Sequence, residues 1–239
     1  MNVIKHFFLL AKGFLFPAVC ALCGGSLIYS QEIKYGLCEK CKESLSPLEE
    51  GSRCNLCGKP LISEKDLCLP CRNGTVKSTE RLWVLFPYAG KFRTLLTEYK
   101  FRKNLPLADF FAEKALTVLL NEPALENACI VPVPPRPGKI KENGWDQVDF
   151  LVRRIEKISE GKISVCRCLK RQKSKIQKRL DRNARIENLK GRIRMNGTAP
   201  KTAVVIDDII TTGSTIEVCS GVLKEAGAEK VYGLCLFYD

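Results

Sequence analysis

The chain is 239 residues long and 45% apolar, enough for one packed α/β domain and a small appendage. It carries 39 Lys and Arg against 26 Asp and Glu, a formal net charge of +13. A membrane-spanning helix needs about 20 consecutive apolar residues, and no stretch supplies them, so membrane insertion is not expected. Of the 13 cysteines, eight form four Cys-x-x-Cys pairs within the first 71 residues. That spacing suits zinc rather than a disulfide framework, and predicts a reduced, cytoplasmic setting.

The first segment, His6–Phe16, is apolar but interrupted by Lys12 and reads as a short amphipathic helix. An internal repeat follows. Cys20-Ala-Leu-Cys23-Gly24 parallels Cys54-Asn-Leu-Cys57-Gly58, and each copy is closed by a second pair preceded by Leu: Cys38 with Cys41, and Cys68 with Cys71. Each copy is a complete four-cysteine set, which favours one Zn2+ on Cys20, Cys23, Cys38 and Cys41 and another on Cys54, Cys57, Cys68 and Cys71. Interleaved sharing of the pairs stays open. A closed site of four thiolates leaves no coordination position for substrate, so both ions are structural. Residues 1–75 are accordingly read as an N-terminal helix with a double zinc-binding domain, and residues 76–239 as the α/β domain.

That domain begins with a strand over Leu82–Tyr88. Two helical runs follow, with Phe92, Leu95, Leu96 and Tyr99 on one face of the first and Leu107, Phe110, Phe111, Ala115 and Leu119 in the second. Ala128–Pro135 is a strand ending in prolines, which places its turn near Pro132. Arg136, Lys139 and Lys141 come next and make this turn either an anion-holding loop or a rigid surface turn. Gly144-Trp145-Asp146-Gln147 opens a helix through Val148, Leu151, Val152 and Ile155, and Ile163–Cys168 reads as a strand. From Arg167 to Arg194 there are twelve Lys or Arg against two acids, with sparse apolar residues. This predicts a mobile, partly helical arm that either closes over an anionic ligand or contacts nucleic acid. The last strand is Val231–Tyr238.

The chemistry concentrates in Val204–Thr215. Val204, Val205 and Ile206 form a β-branched run suited to a buried parallel strand. Asp207 and Asp208 follow at its end, then Thr211-Thr212-Gly213-Ser214-Thr215, then a helical pattern that stops at Gly227. Backbone N–H groups and hydroxyls at a helix N-terminus make an anion site. The two carboxylates would repel that anion, so they must face another part of the same ligand, such as sugar hydroxyls or a metal. A phosphate at one end and a diol in the middle describe a ribose 5-phosphate. The chain has neither a G-x-x-x-x-G-K-[ST] loop nor G-x-G-x-x-G, which speaks against ATPase and dinucleotide readings.

The stretch Ala203–Thr215 resembles the phosphoribosyl pyrophosphate loop of the type I phosphoribosyltransferase fold. By that resemblance the acids hold the ribose hydroxyls and the loop holds the 5-phosphate. The cysteine pairs, Tyr99-Lys100-Phe101, Val131-Pro132-Val133-Pro134, Gly144–Gln147, and Gln177, Arg182 and Asn183 together resemble the ComF family, whose members are linked to DNA uptake in natural transformation. The family's Arg-Gly-Phe-Asn-Gln reads Asn143-Gly144-Trp145-Asp146-Gln147 here. The resemblance implies a parallel sheet with helices on both faces, Mg2+ with phosphoribosyl pyrophosphate, and catalytic roles for Asp207 and Asp208. Arg136 and Thr211, Thr212, Gly213, Ser214 and Thr215 become the ligand-binding residues. Two functions stand side by side. One is a phosphoribosyltransferase in DNA uptake or nucleotide salvage. The other is a non-catalytic ligand sensor or an adaptor binding single-stranded DNA and a DNA-translocation protein. The chain stops one strand after the loop, so an acceptor-base hood is expected from residues 75–130.

Overall fold

The computed structural model describes residues 17–45, 53–61, 63–73, 78–172 and 191–239. The expected helix over His6–Phe16 and most of the basic arm, including Gln177, Arg182 and Asn183, lie outside them.

The chain divides into two compact units in space. One unit comprises Met1–Ser46 with Ala89–Phe110, the other Pro47–Tyr88 with Phe111–Asp239. The first holds one four-cysteine set, the short helices α1 (Ser30–Tyr35) and α2 (Glu39–Glu43), and the longer α4 (Gly90–Lys100). Phe92, Leu95, Leu96 and Tyr99 form the buried face of α4, as their spacing predicts. Glu32 ties this cysteine loop together, its carboxylate accepting from the backbone N–H groups of Ile28, Tyr29 and Glu39 at 3.2 Å each.

The second unit holds the other four-cysteine set, with α3 (Leu69–Arg72), and a five-stranded sheet. Its strands are β1 (Leu82–Pro87), β2 (Cys129–Pro132), β3 (Ser164–Val165), β6 (Thr202–Ile210) and β7 (Lys230–Tyr238), in the order β1-β7-β6-β2-β3. Every pairing is parallel. Helix α5 (Leu107–Asn121) precedes β2, and the short α6 (Lys139–Asn143) and α7 (Gln147–Ile158) follow it. Helix α7 packs on β2, β3 and β6, and α8 (Ser214–Glu225) packs on β6 and β7. They cover opposite faces, because neighbouring residues of a strand point to opposite sides. Asp207 lies toward Cys219 of α8, whereas Asp208 reaches Gln147 of α7.

The strand expected over 163–168 is shorter than its composition suggests. Only Ser164 and Val165 pair with β2. The chain then leaves the main sheet, and β4 (Leu169–Arg171) pairs antiparallel with β5 (Ile193–Met195). The ends of the basic arm are therefore the base of a hairpin, with Cys168, Leu169 and Ile193 buried. A mobile, partly helical arm is not what these flanks form, since they are held in the ladder.

Phe86, Phe111 and Phe237 are fully buried and touch pairwise, with ring centroids 5.5–6.4 Å apart. Replacing Phe237 by Ala removes one ring from this cluster and leaves a cavity. We expect a loss of about 3–5 kcal/mol, read as a lower urea midpoint at unchanged slope.

Candidate functional site

The sheet order makes β2 and β6 neighbours, although β3 lies between them in the chain. The chain leaves β2 toward β3 through α7 and leaves β6 toward β7 through α8, so the two connections diverge. In open α/β sheets, ligands bind in the crevice that such a divergence opens at the carboxyl ends of the strands. The pairing marks the crevice. β2 stays with β6 only to Pro132 opposite Ile206, while β7 continues to Ile210 opposite Tyr238. Asp207 and Asp208, expected just beyond the strand, lie within β6 on this overhang.

The two acids have different surroundings. Asp208 is buried and accepts a 2.7 Å hydrogen bond from Gln147 Nε2. Lys139 of α6 donates to the Gln147 amide oxygen and, at 2.6 Å, to Asp146. Asp146 in turn caps α7, accepting from the N–H groups of Val148 and Asp149 at 3.1 and 2.9 Å. Position 146, where the sequence departs from the ComF pattern, thus keeps a cap. Asp207 is half-buried, and its carboxylate accepts from the Asp208 N–H at 2.8 Å.

Arg171 lies within electrostatic reach of Asp207, and no motif points to it. It lies in the run whose composition suggests a solvated arm, yet the hairpin base carries it inward. Burial pushes its guanidinium below the ordinary value, with Arg192 and Arg136 acting the same way and Asp207 and Cys219 opposing. Arg136 is exposed in the loop after β2 and is held by both carboxylate oxygens of Glu142.

The loop after β6 is built as its residues suggest. Gly213 has φ +74°, a left-handed conformation at the N-cap of α8 that a β-branched residue resists. The hydroxyls of Thr212 and Ser214 are 2.8 Å apart, and Ser214 is buried. Thr211, Thr212 and Gly213 line a cavity of about 170 Å3, with Leu56, Cys57 and Lys59 of the second cysteine segment also in its wall.

Both four-cysteine sets assemble as the repeat predicts. Cys20, Cys23, Cys38 and Cys41 bring their sulfurs within 4.8 Å of one another, and so do Cys54, Cys57, Cys68 and Cys71. Burial raises the thiol of Cys20, but backbone N–H groups of Cys23, Cys38 and Leu22 outweigh it and bring it to about 7. Cys54 is brought to about 7 in the same way by Cys68, Cys57 and Leu56. In the same sets, burial and the neighbouring sulfurs push Cys41 and Cys71 up. Four sulfurs this close cannot all ionise without a cation, and the donor set is that of tetrahedral Zn2+. The two sites fit structural zinc.

Residues 11–72 match the family described as the double zinc ribbon domain. The chain is 27% identical over 226 residues to competence protein ComFC of Streptococcus pneumoniae, covering 89% of this chain and 96% of that one. The resemblance to the ComF family holds along nearly the whole chain. DNA utilization protein YhgH of Escherichia coli is 25% identical over 227 residues, 92% and 96% of the two chains. Competence protein F of Haemophilus influenzae is 25% identical over 227 residues, 89% and 93%. Among solved structures, a hypoxanthine phosphoribosyltransferase from Staphylococcus aureus superposes with a TM-score of 0.36 at 12% identity, covering 55% of this chain and 63% of that one. Superposition that loose carries no argument. The fold is instead read from its parallel sheet, the helices on both faces and the acidic strand leading into a glycine loop. Among the described residues, no helix is long and apolar enough to cross a membrane.

Two measurements check the site. Elemental analysis after reducing purification should find two zinc ions per chain, and Cys54→Ser should leave one. Asp208→Asn should weaken the bond from Gln147 by about 1 kcal/mol, as a charged acceptor becomes neutral. That lowers the melting temperature by about 2–4 °C, whereas Asp207→Asn should leave it unchanged.

Proposed function

We propose that this ComF-like chain binds phosphoribosyl pyrophosphate. The reading is supported by one juxtaposition: two strand carboxylates and a glycine-turned helix N-terminus meet at the divergence of β2 and β6. The N–H groups and hydroxyls of Thr211–Thr215 take the 5-phosphate, where the helix dipole favours an anion. Asp207 and Asp208 accept hydrogen bonds from the ribose hydroxyls. Asp208 is already oriented by Gln147, so its carboxylate has little freedom left to lose on binding. Arg136 exchanges its pairing with Glu142 for the pyrophosphate, and Arg171 adds a second cation near Asp207. Mg2+ carried in with the ligand would supply further positive charge to the pyrophosphate beside Arg136 and Arg171. Transfer to an acceptor then follows if one binds beside the sugar, and a sensor results if none does.

A second role rests on a separate observation, the twelve Lys or Arg against two acids between Arg167 and Arg194. Such density suits a nucleic-acid backbone. The relatives' names refer to competence and DNA utilization, so we place this chain in DNA uptake, in the cytoplasm, with single-stranded DNA and a DNA-translocation protein as partners.

Calorimetry with phosphoribosyl pyrophosphate and Mg2+ tests the first role. Asp207→Asn should weaken binding about tenfold to a hundredfold, the value of a lost charge-assisted hydrogen bond. Gly213→Val should abolish binding of ribose 5-phosphate as well. Absence of binding by the zinc-loaded wild type would end the reading. For the second role, neutralising Lys173, Lys175, Lys178 and Arg179 should flatten the salt dependence of binding to single-stranded DNA, by about 0.7 for each phosphate no longer neutralised.

A further inference from the structure

Another cavity lies at the outer margin of the sheet, and Thr211–Thr215 take no part in its wall. It measures about 280 Å3 and is bounded by β1 from Arg81 to Phe86, by Arg53 and Gly58 of the second ribbon, and by Lys114 and Val118 of α5. Only glycine lets the ribbon lie this close to β1. A side chain begun at Gly58 would stand 2.6 Å from Val84 Cγ2 and 2.9 Å from Leu82 Cδ2, and φ there is +71°. In the sheet, β1 has a neighbour on one side. The Gly233 N–H donates to the Arg81 carbonyl, so Arg81, Trp83 and Leu85 face β7, and Leu82 and Val84 turn their backbone groups to the outer edge.

The charged side chains of this wall are of one sign. Arg53, Arg81 and Lys114 are in it, and no Asp or Glu is. Arg53 is half-buried. It donates to the Gly58 carbonyl at 2.7 Å and lies 5.9 Å from the centre of the Tyr238 ring. Among the described residues no carboxylate stands within ion-pair distance of it. Burial pushes its guanidinium below the ordinary value. A partly buried cation without a counter-charge is costly. Arg81 lies 4.7 Å over the Trp83 ring, and Glu122 reaches it only at 3.9 Å, too far for a hydrogen bond. Cys54 also borders the cavity, but it is buried and its sulfur is gathered with the other three of its set.

We propose that this cavity binds a small organic acid, one carboxylate on an apolar body about the size of an aromatic ring. The carboxylate pairs with Arg53 and Arg81, whose forked N–H donors match its two oxygens. Lys114 adds positive charge to the same wall. The body lies against the rest of the wall, which is largely apolar. The volume of about 280 Å3 compares with about 150 Å3 for a cavity that admits one benzene ring. A ring and its carboxylate fit together.

Calorimetry on the zinc-loaded full chain tests the site, with benzoate, its neutral isostere benzamide, and acetate as probes. Benzoate should bind about tenfold to a hundredfold more tightly than benzamide, the worth of charge-assisted hydrogen bonds. It should bind at least about tenfold more tightly than acetate, which leaves the apolar wall uncovered. Arg53→Gln and Arg81→Gln should each bring benzoate down toward the benzamide level, with zinc content unchanged. Val118→Trp should fill the cavity and abolish binding of both aromatic probes. If that variant fails to fold, the two Gln variants still decide. Excess ribose 5-phosphate should leave benzoate in place, so the site stands or falls apart from the phosphate loop. Equal affinity for benzoate and benzamide overturns the proposal. So does a benzoate affinity that neither Gln variant changes. Displacement of benzoate by ribose 5-phosphate puts the acid at the phosphate loop and overturns it too. Absence of benzoate binding at millimolar concentration ends it outright.

Discussion

A strand must point successive side chains to opposite faces, and the site depends on that constraint. Asp207 and Asp208 are neighbours in the chain, yet one lies on the α8 side of the sheet and the other on the α7 side. Two adjacent acids on one surface would repel each other and compete for the same partner. On the β6 overhang beyond β2 they have separate supporting networks. Asp208 joins a relay through Gln147, Lys139 and Asp146 that fixes the start of α7. Asp207 lies near Cys219 and the half-buried Arg171. The overhang of β6 beyond β2 is what keeps this pair at the rim of a crevice rather than inside the ladder.

The two zinc ribbons repeat in sequence but not in setting. Each gathers four sulfurs around one point, and each uses backbone N–H groups to hold its first thiol near the ionised form. The first belongs to a unit with α4, the second to the unit that carries the sheet. Tertiary context therefore separates two copies that look equivalent along the chain. Gly58 of the second copy is fitted to Leu82 and Val84 of β1.

Strand β6, the loop to Thr215 and helix α8 were legible in the sequence because each is specified locally, by a β-branched run, a glycine with positive φ and a period near 3.6. The cysteine spacing likewise carries its own geometry. What was hidden depends on partners distant in the chain. Leu169–Arg171 has too few apolar residues to announce a strand, and becomes one only by pairing with Ile193–Met195. Arg171 is charged among many charged neighbours, so nothing local separates it from them. Gln147 could be read as the start of a helix but not as the partner of a residue 61 positions later. The wall formed by Leu56 and Lys59 likewise exists only after the ribbon docks.

That docking has a consequence at the margin of the sheet. A parallel sheet ends in two strands that each present unpaired N–H and C=O groups, an open template for another chain. One margin here is β3, only two residues long and too short to recruit a partner. The other is β1, six apolar residues ending in Pro87, and the position of a Gly58 Cβ lies 3.4 Å from the Leu82 carbonyl oxygen on that strand. The ribbon is thus a guard over the longer edge, and a zinc ion on its four cysteines would keep the guard folded. Zinc loss would expose β1 as well as unravel the ribbon, so metal starvation would appear first as self-association of otherwise folded chains.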